Sequence, residues 1–219
     1  MSDGNSDTDK PTRRRAVRRR WIIILGLFIA IASLRLTGFM ISANAERKEA
    51  IRLEAKEIIT NLREGISLYH VDYNRYPLPS SDISTSSGKD ISIRSRGPML
   101  PWLIGNENAP QTGAQLNPKD ISYIRLPKAR NRTSGTWQDG DEMVLSDPWG
   151  QPYYIVLDTS DDKQTANPEF GADLSDPDYA ELCRAFPPPA ILRLEILVYS
   201  SGPDRNPKTW EDNICSWRK

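Results

Sequence analysis

The chain has 219 residues, of which 38% are hydrophobic and 26% charged, a balance that excludes a largely disordered polypeptide. Its formal net charge is zero, but the charges are unevenly distributed along the chain. Residues 1–20 contain seven basic and three acidic side chains, a net +4, so residues 21–219 carry −4.

An apolar segment follows this basic tail at residues 21–41, where Arg35 is the one charge in twenty-one positions. As a helix it would cross the ~30 Å hydrocarbon layer of a bilayer, so the sequence predicts a transmembrane helix. Basic residues at its start predict a cytoplasmic amino-terminal tail, and they suit anionic headgroups better than nucleic acid. A cleaved signal peptide ending at residues 42–45 is the alternative, and the length of the segment favours retention.

The next segment, residues 42–77, has the pattern of an amphipathic helix. Its apolar residues recur at steps of three and four, with charged residues between them. No proline occurs between Ala16 and Tyr76, so this segment and the apolar one can form a continuous helix of about 50 residues that Pro77 ends.

The rest of the chain predicts loops followed by strands. Residues 78–140 are polar and are interpreted as a loop-rich insertion. In residues 141–219, the sequences MVL and YYIVLD flank a turn at residues 146–152, which predicts a hairpin. Residues 191–200 alternate in polarity and predict a half-buried antiparallel strand. The predicted fold class is α+β, a long amino-terminal helix packed on a small antiparallel sheet.

The chain has two cysteines, Cys183 and Cys215, and both belong to the part predicted to be exported. An even number of cysteines in an oxidising compartment predicts a disulfide between them. Two buried thiols are the alternative.

Three motifs in order resemble the major pseudopilin of bacterial type II secretion systems, a type IV pilin-like family. Asn74 to Pro77 closes the helix, Asp147 to Tyr153 opens the sheet, and the third motif lies in the carboxyl-terminal loop, residues 200–217. The third motif comprises Ser200, Gly202, Asp204, Glu211, Asp212, Ile214 and Trp217. The family's processing site, with its glutamate at the fifth apolar position, is absent before the apolar segment.

The resemblance implies a pilin-like fold and a calcium ion (Ca2+) in the carboxyl-terminal loop. The expected ligands are Ser201, through its carbonyl, with Asp204, Glu211 and Asp212. Two alternatives remain open: Thr209 and Asp212 match a helix capping box, and Arg205 could pair with one of the acids.

The implied function is that of a pseudopilin-like structural subunit of a type II secretion-type apparatus, involved in protein secretion. It would span the bacterial inner membrane once, with a periplasmic carboxyl-terminal domain. Its partners would be the membrane and other pseudopilin-like subunits or inner-membrane components of the secretion system, and not nucleic acid. A solitary membrane-anchored binding module that does not polymerise is the alternative. We expect no enzyme, since the single histidine, His70, lies at a helix end and no phosphate-binding loop is present.

Overall fold

The computed structural model describes residues 10–79, 89–105, 117–172, 174 and 176–218, with side chains in the helix described at residue 35 and from residue 39 onward. Helix α1 spans Lys10–Tyr73, which confirms the prediction of one long amino-terminal helix. Most side chains of the apolar segment, and all of residues 1–9, lie outside the described residues. Within the described part, no helix is both long and apolar enough to cross a bilayer.

The chain divides into two compact units, Met1–Ala50 and Ile51–Lys219. In the first unit, the described side chains of α1 are exposed. The second unit is an α+β domain formed by the remainder of α1, two further helices and eight strands in the described residues. After α1 these elements are β1 (Ile91–Arg94), α2 (Met99–Ile104), β2 (Gly135–Asp139), β3 (Glu142–Ser146), β4 (Tyr154–Leu157), β5 (Thr165–Ala166), α3 (Pro177–Ala185), β6 (Ile191–Leu192), β7 (Ile196–Ser200) and β8 (Ile214–Cys215).

The main sheet has four antiparallel strands in the order β1-β4-β7-β8. Two small antiparallel ladders, β2-β3 and β5-β6, lie outside it. The inner residues of the sheet, among them Ile155, Leu157 and Val198, form one buried core with the apolar stripe of α1. That stripe consists of Ala55, Ile58, Ile59, Leu62, Ile66 and Tyr69.

The end of α1 follows from local backbone chemistry. Asn74 adopts the left-handed conformation (φ 49°), which asparagine tolerates and which stops the helix after Tyr73. Pro77 then prevents its continuation. The intervening Tyr76 is buried, and its ring stacks on His70 with centroids 4.4 Å apart. The motif at residues 74–77 therefore ends the helix and covers its last turn.

The predicted hairpin across residues 146–152 is not formed as a strand pair. The turn is present, but β3 pairs with β2 through a turn at Gly140, whereas β4 pairs with β1 and β7. A single bridge, Ser146 to Pro152, joins the two sides of the turn. The segment predicted to be a loop-rich insertion contributes β1, α2 and β2, and Met99, Leu100 and Leu103 of α2 are buried.

Residues 191–200 also differ from the prediction, because they form two strands rather than one half-buried strand. The first, β6, pairs with β5, and the second, β7, is buried on both faces. A second hydrophobic cluster covers the outer face of β7, and two of its members come from α3, a helix that the sequence analysis did not identify. This outer cluster consists of Tyr179, Cys183, Tyr199, Trp210 and Cys215.

The buried stripe of α1 predicts that substituting a buried apolar residue of this helix destabilises the fold much more than substituting an exposed one. Ile59 is fully buried and Leu53 is 60% exposed. We expect Ile59→Ala to lower the free energy of unfolding by about 2–5 kcal/mol, because it leaves a cavity in the core. The matched control Leu53→Ala should change it by less than about 0.5 kcal/mol. Urea denaturation would measure both, and equal losses would contradict the packing of α1 on the sheet.

Candidate functional site in the carboxyl-terminal loop

The site begins at Asp147, a fully buried carboxylate in the turn between β3 and β4. Its Oδ1 accepts hydrogen bonds from the backbone N–H groups of Trp149 (2.9 Å) and Gln151 (2.8 Å). Pro148 fixes its own φ at a value that suits the turn. Gly150 adopts a left-handed φ of 87°, which is strained for a residue with a side chain. The turn therefore folds around the carboxylate and satisfies one of its oxygens.

The other carboxylate oxygen of Asp147 connects the turn to the carboxyl-terminal loop. Oδ2 accepts a hydrogen bond from the Ser200 hydroxyl at 2.6 Å, and that hydroxyl accepts one from the Gly202 N–H at 3.1 Å. Burial raises the pKa of Asp147, while the bonds from Ser200 and the backbone amides act in the opposite direction. Two motifs that are far apart in the sequence thus share one buried hydrogen-bonded group.

Within the loop, Asp204 and Asp212 lie together. The Asp204 N–H donates to Asp212 Oδ2 at 3.2 Å, and the Asp204 carboxylate accepts from the Asn206 N–H at 2.7 Å and from the Thr209 hydroxyl. Gly202, with φ 68°, makes this approach possible, since a Cβ there would lie 2.5 Å from the Asp212 carbonyl oxygen.

Three side-chain oxygens of the loop are buried and have no hydrogen-bond partner among the described residues: Asp212 Oδ1, Ser201 Oγ and Asn213 Oδ1. Burial raises the pKa of Asp212, and the charges of Asp204 and Glu211 add to the increase. Unpaired buried oxygens are costly, and carboxylate, amide and hydroxyl oxygens are the hard donors that bind calcium. The loop therefore contains oxygen donors of the type that bind a hard cation.

The predicted ligands occupy different environments. Ser201 is buried and Asp212 half-buried, whereas Asp204 and Glu211 are exposed. No group of three or more His, Cys, Asp or Glu side chains in metal-binding arrangement occurs in the part of the chain that is described. Asn213 was not predicted, although an amide oxygen directly after two acids is a signal that could have identified it.

The two alternative explanations of the acids do not match the loop's structure. Thr209 is a β-bridge residue, residues 210–212 form a turn and β8 follows, so Thr209 does not begin a helix. Its hydroxyl donates instead to Asp204 and to the Asn206 carbonyl. Arg205 is exposed and forms no ion pair with a described acid.

The far end of the loop is held by a second set of contacts that the sequence analysis missed. Lys56 of α1 donates to the carbonyl oxygens of Cys215 and Arg218, both at 2.5 Å, and burial lowers the pKa of this lysine. Arg218 pairs with the buried Glu169, which also accepts from the Tyr179 hydroxyl at 2.5 Å. The carboxyl terminus is therefore attached both to α1 and to the outer cluster.

Cys183 and Cys215 are free, buried thiols in the structure and belong to the same outer cluster. Burial raises the pKa of Cys215 to about 12, so its thiol is protonated at neutral pH. The disulfide between them stays a prediction.

Adjacent serines provide a matched test of the connection to Asp147. In calcium-free buffer we expect Ser200→Ala to lower the free energy of unfolding by about 1–3 kcal/mol, because it leaves Asp147 Oδ2 buried without its donor. Ser201→Ala should not lower it, because the buried Ser201 hydroxyl has no described partner to lose and the cost of burying it unpaired disappears. Denaturant titration of both variants would measure the difference. Losses of similar size would show that the Asp147–Ser200 bond contributes nothing specific.

Comparison with known proteins identifies no relative: no protein-family model, no curated protein and no solved structure significantly matches this chain. Assignment of a function therefore depends on the chain's own residues and geometry.

Proposed function

We propose that this chain is a pseudopilin-like structural subunit of a type II secretion-type apparatus, anchored in the bacterial inner membrane with its carboxyl-terminal domain in the periplasm. The observation that carries the proposal is the joint placement of the three family-like motifs. The first ends α1, and the second and third meet at the Asp147–Ser200 hydrogen bond beside a four-stranded antiparallel sheet. A long helix with one face on such a sheet is the architecture that the resemblance implies.

The outward side of α1 supports an assembly role. Leu53, Leu68 and Val71 are 60%, 55% and 76% exposed, although the opposite side of the same helix is fully buried in the core. Leu53 and Val71 are eighteen residues apart in the sequence, about five helical turns, so they lie on the same side of α1. Exposed apolar side chains on one helix face are suited to packing against another helix.

Site-specific photocrosslinking in cells tests this function. A photoreactive phenylalanine analogue at Leu68 should crosslink copies of the chain into a ladder of multimers, because like helices would pack there. The same analogue at the exposed Gln138 of β2 is the control and should give little crosslinking. Monomers alone, or a single adduct to a different protein, would instead favour the solitary anchored module, whose support is the missing processing site before residue 21.

We also propose that the carboxyl-terminal loop binds calcium. Asp212 Oδ1, the Ser201 oxygens and Asn213 Oδ1 would hold the ion, with Asp204 and Glu211 adding negative charge from the exposed side of the loop. When bound, calcium would neutralise the acids and satisfy the buried oxygens. A carboxyl group whose pKa is raised in the folded chain destabilises the fold as pH rises through that pKa, so Asp212 weakens the cation-free loop at neutral pH.

Thermal melting with calcium and with chelator tests this site. Calcium should raise the melting temperature by several degrees through ligand-linked stabilisation, and the increase should shrink under acidic conditions, where protons compete for Asp212. Asp212→Ala should abolish the increase, whereas Asp141→Ala, at an exposed acid outside the loop, should preserve it. Identical melting of the wild-type chain in both buffers would refute the site without affecting the assembly proposal.

A further inference from the structure

A second surface of the domain carries a concentrated positive charge, and it is separate both from the carboxyl-terminal loop and from the exposed apolar side of α1. The basic loop, residues 125–132, contains four cations: Arg125, Lys128, Arg130 and Arg132. No aspartate or glutamate occurs between Asp120 and Asp139. All four side chains are exposed, and none forms an ion pair with a described residue. The loop is thus a positive patch on a chain whose residues 21–219 are net negative.

The backbone of the basic loop is well anchored. Two backbone hydrogen bonds join it to Thr136 of β2. The Ala129 N–H donates to the Thr136 carbonyl at 2.9 Å, and the Thr136 N–H donates to the Pro127 carbonyl at 2.8 Å. Arg130 and Thr133 exchange two backbone hydrogen bonds across the tip, of 3.1 and 3.0 Å. Because the backbone is held in this way, binding a partner would cost little backbone conformational entropy.

One of the cations is itself held in place. The Arg132 guanidinium lies 4.5 Å from the ring centroid of Trp137, and the Trp137 Nε1–H donates to Ser146 Oγ at 2.9 Å. The guanidinium covers one face of the ring, so that face is not available to stack on a base of single-stranded nucleic acid. Arginine and tryptophan are instead the residues enriched in the centres of protein interfaces.

We propose that the basic loop is a docking surface for an acidic segment of a partner protein. Three of its four cations are arginines, whose planar forks bind carboxylates through two parallel hydrogen bonds. All four lie within eight residues, and their exposure and lack of ion pairs with described residues leave them available to a partner. This interaction goes beyond assembly through α1 and does not require calcium.

The test is binding of a fluorescein-labelled oligoglutamate peptide to the full chain in a nonionic detergent, followed by fluorescence anisotropy at low and high salt. The double variant Lys128→Glu/Arg130→Glu should weaken binding by about tenfold or more, since two attractive charges become repulsive. Both side chains are exposed and have no described side-chain contact, so the fold should be retained, which circular dichroism would verify. High salt should weaken binding to the wild-type chain.

The matched control is Arg184→Glu/Arg193→Glu, which changes the net charge by the same amount at two other exposed positions. It should bind the peptide as the wild-type chain does. The proposal is overturned if the wild-type chain does not bind, or if both double variants lose affinity equally. It is also overturned if an oligothymidylate of equal charge binds the basic loop more tightly than the peptide, because the partner would then be a nucleic acid.

Discussion

The buried carboxylate of Asp147 is the group that fixes the start of the carboxyl-terminal loop on this domain. A charge removed from water must be fully hydrogen-bonded, and here the backbone of its own turn satisfies one oxygen and Ser200 the other. The backbone carbonyl of the same residue also accepts from the N–H of Ser134, two residues after the basic loop, at 3.0 Å. One residue thereby joins the turn between β3 and β4, the carboxyl-terminal loop and the segment that follows the basic loop.

The carboxyl-terminal loop is consequently fixed at both ends. Ser200 attaches its start to Asp147, and Lys56 attaches its end to α1 through the carbonyls of Cys215 and Arg218. Between these points the loop leaves three buried oxygens without described partners. A cation that bound there would order a short interior segment and not the whole loop, so little of its binding energy would be spent on conformational entropy.

Local sequence signals predicted the elements whose residues interact with near neighbours. The spacing of apolar residues identified the buried face of α1, and Asn74 with Pro77 identified its end, because both signals lie within one helix. The pairing of β3 was not predictable in the same way. The turn residues after it indicated a hairpin with β4, but β3 pairs across Gly140 with β2, whose polar sequence resembles a loop. Strand pairing is decided by side-chain packing between segments, which a local pattern does not contain.

The same distinction explains what was missed in the candidate site. The acids and the glycine of the loop were visible in the sequence. The hydrogen bonds that hold the loop in place were not, because their partners are far apart in the chain: Asp147 and Ser200 are separated by 53 positions, and Lys56 and Arg218 by 162. The outer cluster was missed for the same reason, because it depends on packing between distant segments. Helix α3 places Tyr179 and Cys183 over β7 and buries the face of that strand that its alternating sequence predicted to be exposed. Because the carboxyl-terminal loop and the segment that follows the basic loop bond to different atoms of Asp147, a change in that turn should disturb both. Changes confined to the exposed side chains of either loop should leave the other intact, so the two proposed activities are separable by mutation.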